Sequence, residues 1–172
     1  MTTAPRPGPM PGPEPVLRPG VPADAPAGAE MHAACWREAY GPLVDGTRLE
    51  QRLRDGARWT AAWTAQLASG PPRVVADAGG ELVGFAVAGP CRDDEPVTPT
   101  ELYALYTRSA WWGSGLGQRL WDAVRPDEPC SLWVLEANSR AQAFYRRNGF
   151  TPDGARERYD GLDAWEIRMV RG

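Results

Sequence analysis

One stretch restricts the fold more than any other: Glu101-Leu-Tyr-Ala-Leu-Tyr-Thr-Arg-Ser-Ala-Trp-Trp-Gly-Ser-Gly-Leu-Gly-Gln-Arg-Leu-Trp-Asp-Ala-Val124. It opens with apolar and aromatic residues of β type, breaks at Gly113, Gly115 and Gly117, and resumes with Leu116, Leu120, Ala123 and Val124 at helical spacing. The pattern predicts a strand, a glycine loop and a helix. Glycines at alternate positions leave N–H groups uncovered by side chains, and the first turn of a helix has donors with no intrahelical acceptor. Such a loop is an anion site, and phosphate is its most natural occupant. Two other phosphate loops fail on their residues. A dinucleotide fingerprint would need glycine at Gln118 or Leu120, and a P-loop needs a Lys, which this chain lacks.

The rest of the chain is arranged around that unit. Residues 1–15 are rich in Pro and Gly, cannot bury apolar surface, and are expected to form a flexible tail. Residues 16–172 are expected to form a single domain, because 172 residues are too few for two of ordinary size. Val16 to Arg18 reads as a first strand. A helix is predicted from Ala23 to about Tyr40, with Met31, Ala34, Cys35 and Ala39 on one stripe and Gly41-Pro42 as its stop. Thr47 to Asp55 and Ala57 to Ala68 read as two more helical pieces separated by Gly56. Arg73 to Ala78 and Glu81 to Ala88 are Val-rich runs joined by Gly79-Gly80, a hairpin signal. Gly89 to Pro99 is a polar loop containing Asp93-Asp94-Glu95. After the central unit, Ser131 to Leu135 is continuously apolar, as in a strand covered on both faces. Asn138 is a good N-cap for a helix to about Asn148, with Gly149 as its left-handed stop. Phe150 to Thr151 and Ala164 to Val170 are predicted to pair around a loop from Asp153 to Gly161.

Composition narrows the partners. Net charge is −3, and all nineteen basic residues are Arg, scattered along the chain, so neither a nucleic-acid surface nor a membrane partner is expected. Cys35, Cys91 and Cys130 are odd in number and widely spaced, and His32 is the sole histidine. That argues against a disulfide framework and a metal site and points to a reducing, cytoplasmic setting. No apolar run is long enough to span a bilayer.

The segment from Trp112 to Gly117 resembles the acyl-CoA pyrophosphate loop of the GNAT superfamily of N-acetyltransferases, usually Arg/Gln-x-x-Gly-x-Gly/Ala, with Trp112, Gly115 and Gly117 at the three fixed positions. A second segment, Leu132 to Phe150, is similar to the family's strand and helix ending in Phe-Tyr-x-x-x-Gly-Phe. The order β-α-α-β-β-β-α-β-α-β-β agrees from Val16 onward. The resemblance implies an α/β (α+β) fold, a mixed and mostly antiparallel twisted sheet of six to seven strands flanked by helices. It also implies an acetyl-CoA-dependent transfer to a primary amine of a small molecule or peptide, directly and without an acyl-enzyme. No metal is implied, and the chain is expected to be a monomer or homodimer.

Carried over residue by residue, the resemblance assigns pyrophosphate to the backbone of Trp112, Gly113, Ser114, Gly115, Leu116, Gly117 and Gln118. It assigns the pantetheine arm to Leu105, Tyr106 and Thr107, with the Leu105 or Thr107 amide toward the thioester carbonyl. Asn138, Ala141 and Phe144 are further CoA contacts. Tyr145 matches the residue that protonates the departing thiolate. Glu101 matches a frequent position for the base, acting directly or through water, with Asp93, Asp94 and Glu95 as alternatives. His32 reads as a helix surface residue. Trp36, Arg37, Glu38 and Tyr40 resemble a segment of small-molecule members, which makes Trp36 and Tyr40 expected acceptor contacts, and Asp93 is a further one on the loop expected to border the same groove. Trp112 departs from the family's Arg or Gln. Arg108 or Arg119 is expected to compensate, and Trp112→Arg to tighten acetyl-CoA binding. Two other readings stay open: a silent acyl-CoA sensor of the same fold, and transfer of a group larger than acetyl.

Overall fold

The computed structural model describes residues 12–172, so residues 1–11 of the expected tail lie outside the described residues. Five helices and seven strands follow in the order β1 (Val16–Pro19), α1 (Ala25–Tyr40), α2 (Gly46–Leu53), α3 (Gly56–Ser69), β2 (Arg73–Ala78), β3 (Glu81–Pro90), β4 (Thr100–Thr107), α4 (Leu116–Val124), β5 (Cys130–Leu135), α5 (Ser139–Arg147), β6 (Thr151–Tyr159) and β7 (Ala164–Arg171). Single 3₁₀ turns precede α1 and the glycine loop. Three helices begin at side-chain caps that accept a backbone N–H three residues on. Asp45 takes that of Arg48, Asp55 that of Arg58, and Asn138 that of Ala141.

All seven strands form one sheet in the order β1-β2-β3-β4-β5-β7-β6, antiparallel throughout except for β4 and β5. Helices α1, α2 and α3 cover one face through Met31, Cys35, Leu49, Leu53, Trp59 and Trp63 packed on Val75, Phe85 and Val87. On the opposite face α4 packs Leu116 and Leu120 against Ala76, Val83 and Ala86. Trp121 of α4, with Phe144 and Tyr145 of α5, closes over Leu132, Phe150 and Met169. Period-2 strands between period-3.6 helices therefore supply two apolar layers around one sheet.

Two irregularities in the middle of the sheet create the site. Ala88 faces Leu102 while Val87 faces Ala104, so Tyr103 is an extra residue, a bulge that bends β4. Parallel pairing of β4 with β5 is confined to Thr100 with Cys130 and Glu101 with Ser131. From Leu102 onward the two strands separate, and the β5 side of β4 is left without a neighbouring strand.

The last hairpin differs from the sequence expectation. Instead of a long loop from Asp153 to Gly161, β6 continues to Tyr159 and the turn is confined to residues 160–163. Its register shifts between Pro152 and Arg156, where Gly154 has φ +94°. Strand β6 is an edge strand exposed over most of its length, so its charged residues are compatible with pairing although they lack an apolar alternation.

Just inside the described residues, the chain ahead of β1 is held to α4. Arg119 donates to the Glu14 carboxylate and to the Pro15 carbonyl, and Pro15 is fully buried.

Candidate active site

The glycine loop lies between the end of β4 and α4. Gly113 and Gly115 have φ of +76° and +89°, and a Cβ built at either would meet no atom within 4 Å. Glycine is therefore required by the left-handed backbone, and space lies open beside it. Within the loop the Ser114 N–H donates to the Trp111 carbonyl and the Leu116 N–H to Ser114 Oγ, while Arg119 N–H makes the first bond of the helix, to Gly115. The N–H groups of Gly113, Gly115, Gly117 and Gln118 have no acceptor among the described residues. Four free donors at a helix start, on a concave turn, suit a diphosphate in number and in sign.

From this loop a cavity of about 550 Å³ runs through the gap between β4 and β5 to the face covered by α1. Its walls include Leu105, Tyr106 and Thr107 of β4, Trp112, Gly113, Gly115, Gly117 and Gln118 of the loop region, Asn138, Ala141, Phe144 and Tyr145 around α5, and Tyr40, Tyr103 and Trp133 on the α1 side. The volume is that of an ordinary small-molecule site. Most expected CoA contacts thus share one cavity. Ser114 and Leu116 instead brace the loop from inside, since the Ser114 hydroxyl accepts the Leu116 amide and Leu116 is buried in the core.

Tyr145 is half-buried between Phe144 and Phe150, with ring centroids at 5.4 and 5.8 Å, and burial pushes its phenol up to about 12. The group therefore keeps its proton throughout the neutral range. A thiolate departing into the same desolvated surroundings has its own proton affinity raised by the same physics. Across the gap the Tyr40 and Tyr106 hydroxyls are 2.7 Å apart, and burial raises both above the ordinary phenol range. Asn138 directs its side-chain oxygen to the Ala141 N–H, which leaves its NH2 group uncommitted.

Trp112 does more than fill the position of a missing cation. Its indole N–H donates to the Thr107 carbonyl at 3.1 Å, and the Arg140 guanidinium lies 3.6 Å above its ring. Arg140 has no carboxylate partner among the described residues and lines the cavity, so α5 supplies a free cation beside the loop. Arg108 and Arg119, the compensating residues expected from sequence, are engaged elsewhere, Arg108 by Glu38 and Arg119 by Glu14 and Pro15. The expected gain from Trp112→Arg is therefore reversed, since a second guanidinium would repel Arg140 and lose the stack. Arg140 escaped sequence reading because a lone Arg in a helix carries no signal until its neighbour in space is known.

The remaining expected residues fall on the α1 face. Glu101 is buried, outside the cavity lining, and held by three Arg92 donors, with Arg92 Nη2 at 2.5 Å and Nε and the backbone N–H at 3.1 and 3.0 Å. Asp93 accepts from Trp133 Nε1 at 3.0 Å and from Arg168 Nη1 at 3.0 Å. Cys91, Asp93 and Glu101 bring possible metal ligand atoms within 4.8 Å of one another, but Arg92 and Arg168 already neutralise the two carboxylates. Tyr40 lines the cavity, whereas Trp36 packs into the core beside His32.

His32 is not a helix surface residue. It is enclosed by Trp36, Trp59, Trp63, Phe85 and Tyr106, and Trp36 Nε1 donates to its Nε2 at 3.0 Å. Desolvation first, and then the Arg73 and Arg52 charges, lower it to about 3, so it is neutral at physiological pH.

Residues 72–152, which hold β2 through the start of β6, match the family described as the acetyltransferase (GNAT) domain. A probable N-acetyltransferase of Mycobacterium tuberculosis is 28% identical over 131 residues, 73% of this chain and 74% of that protein. Among solved structures, the PaiA N-acetyltransferase of Thermoplasma acidophilum in complex with coenzyme A superposes with a TM-score of 0.66 at 19% identity, covering 91% of this chain and 98% of that one. A GCN5-related N-acetyltransferase of Rhodopseudomonas palustris gives 0.71 at 21% identity over 96% and 99%. YncA of Salmonella typhimurium, solved with acetyl-CoA, gives 0.65 at 19% identity over 91% and 92%. Likeness at these identities concerns the fold, and among the described residues no helix is long and apolar enough to cross a membrane.

Proposed function

Because this chain belongs to the GNAT superfamily of N-acetyltransferases, we propose that it transfers an acetyl group from acetyl-CoA directly to a primary amine of a small molecule or peptide. One observation carries the reading: a single cavity joins four free loop amides, an unpaired strand edge and the Tyr145 phenol, and opens on the opposite face of the sheet. The free amides of Gly113, Gly115, Gly117 and Gln118 hold the diphosphate, with Arg140 adding charge. The open edge of Leu105, Tyr106 and Thr107 takes an extended pantetheine arm as a strand takes its neighbour, and Asn138 donates to it from the other side. Acetyl-CoA supplies an activated carbonyl, and an N–H on that edge stabilises the oxygen as charge develops.

Tyr145 is the general acid. Its phenol stands protonated and releases its hydrogen to sulfur as the thioester bond breaks. The amine enters from the α1 side, between Tyr40 and Trp133. It must first lose a proton, and with an alkyl amine near pKa ~10.4 this step is uphill by about 4 to 5 kcal/mol at pH 7. Glu101, the base expected from sequence, would have to act from within its Arg92 clamp and through water.

The test measures release of free CoA from acetyl-CoA with a panel of polyamines, aminoglycosides, aryl amines and peptide α-amines. Wild type is expected to turn over at least one class. Tyr145→Phe should lower kcat by about 10²-fold or more while leaving acetyl-CoA affinity within about threefold. Tight binding without turnover of any amine would replace this reading with that of a silent sensor.

A further inference from the structure

Alkyl amine acetylation at neutral pH needs a group that accepts the ammonium proton, and most groups on the α1 face are already engaged. Glu101 is clamped by Arg92, Asp93 by Trp133 and Arg168, and Glu38 by Arg108 and the Ser109 N–H. His32 is too weak a base. Glu166 differs from all of these.

It lies in β7 opposite Leu135, at the end of β5 that has separated from β4, and on the β6 side it stands directly across from Glu157. The cations of this neighbourhood are committed to other carboxylates. Arg156 pairs with Glu136, Arg158 with Asp163, and Arg168 with Asp93 and Asp153. Glu166 is half-buried, accepts no hydrogen bond and has no salt bridge among the described residues. Like Glu101 it lies outside the cavity lining, but its partner Leu135 is two residues along β5 from Trp133, so Glu166 shares the sheet face on which Trp133 and Tyr40 line the cavity. A carboxylate opposite a like charge, with no salt-bridge partner among the described residues and on the face from which the amine enters, is a proton acceptor rather than a structural anchor.

We propose that Glu166 is the general base for the acceptor amine, an inference that rests on the acetyltransferase reading above. Its carboxylate takes one proton from the ammonium through a bridging water and later returns it to solvent. The nitrogen lone pair so freed forms the C–N bond as the C–S bond breaks, and Tyr145 protonates the sulfur. The phenol is restored by the second proton that the nitrogen sheds, so one proton is released for each acetyl transferred. Desolvation, and then the Glu157 charge, bring Glu166 up to about 7, where a base is half ionised at physiological pH and still basic enough to compete for an ammonium proton.

The proposal is tested by kcat/KM profiles between about pH 5.5 and about 9 for wild type, Glu166→Gln and Glu157→Gln, using an alkyl amine and a weakly basic aryl amine. Wild type should show a rising limb centred near 7. Glu166→Gln should lose that limb and fall by about 10²-fold on the alkyl amine. On the aryl amine, which is a free base already, its loss should stay within about threefold. Glu157→Gln should keep the plateau rate and move the limb to lower pH, because a like charge has been removed. Thermal unfolding gives a readout free of turnover. A carboxyl whose folded-state proton affinity is raised contributes stability that is present at low pH and lost as pH rises through about 7, so Glu166→Gln should match wild type near pH 5 and melt higher above pH 8. An unaltered limb in Glu166→Gln, or equal losses on both amines, would overturn the assignment while leaving the acetyltransferase reading intact. Failure of wild type to turn over any amine would remove both.

Discussion

The two mouths of the cavity are built by opposite strategies. At the glycine loop, the free groups are main-chain N–H donors within six consecutive residues, joined by one cation stacked from α5. At the α1 face the lining is made of side chains such as Tyr40, Tyr103, Tyr106 and Trp133, which come from α1, β4 and β5. A main-chain site tolerates change in most side chains and holds a ligand common to many proteins. A side-chain site can be altered one residue at a time, which suits a partner that differs between relatives.

The contrast can be broken most severely at Arg92. Its removal by Arg92→Ala strips Glu101, whose side chain is only 4% exposed, of two of the three donors that now hold it, Nε and Nη2. Only the backbone N–H of residue 92 would remain. Removing one partner of a buried carboxylate costs several kcal/mol in full burial, and because Arg92 itself is exposed about 2 kcal/mol is expected here. Urea unfolding should show the loss with m unchanged, and acetyl-CoA affinity of the folded protein should hold.

Next in size is Arg140→Ala at the other mouth. Losing a charge-assisted contact to phosphate should weaken acetyl-CoA binding about tenfold by calorimetry. The salt dependence of binding should flatten with it, whereas kcat with saturating donor should change little. If affinity is unaltered, the cation over Trp112 is only a packing element and the loop amides act alone.

The smallest effect has the opposite sign. Arg73 is 7% exposed, its Nε and Nη1 have no hydrogen-bond partner among the described residues, and its charge rests against the faces of Trp63 and Phe85 at 4.0 and 4.8 Å. Desolvation lowers its proton affinity, to about 10. Two orphaned donors outweigh a pair of cation–π contacts, so Arg73→Met should raise stability by about 1 kcal/mol, or a melting temperature by about 2–4 °C. A lower melting temperature would mean that the aromatic box depends on the guanidinium to fill it.

What could be read from sequence divides along the same line. The strand, loop and helix from Glu101 to Val124, and the strand and helix from Ser131 to Asn148, announce themselves because period, glycine spacing and capping residues agree over short distances. The edge strand β6 was hidden because Arg156-Glu-Arg-Tyr159 faces solvent on an outer edge, where pairing does not require an apolar face. Glu166 was hidden for a different reason. It is one acid among many until β7 is inserted between β5 and β6, an order that no local pattern specifies. Arg92 likewise looked like an ordinary charge in a polar loop, although it returns to cover the first carboxylate of β4.

Two residue pairs are all the ladder that joins the β1–β4 half of the sheet to the β5–β7 half. An extended molecule laid along the open edge would act as an interior strand of the protein itself, zipping the halves over the length where the chain does not. Its binding energy would then appear as folding energy, growing as RT ln(1 + [L]/Kd). In a cell this would tie the lifetime of the polypeptide to the supply of that molecule.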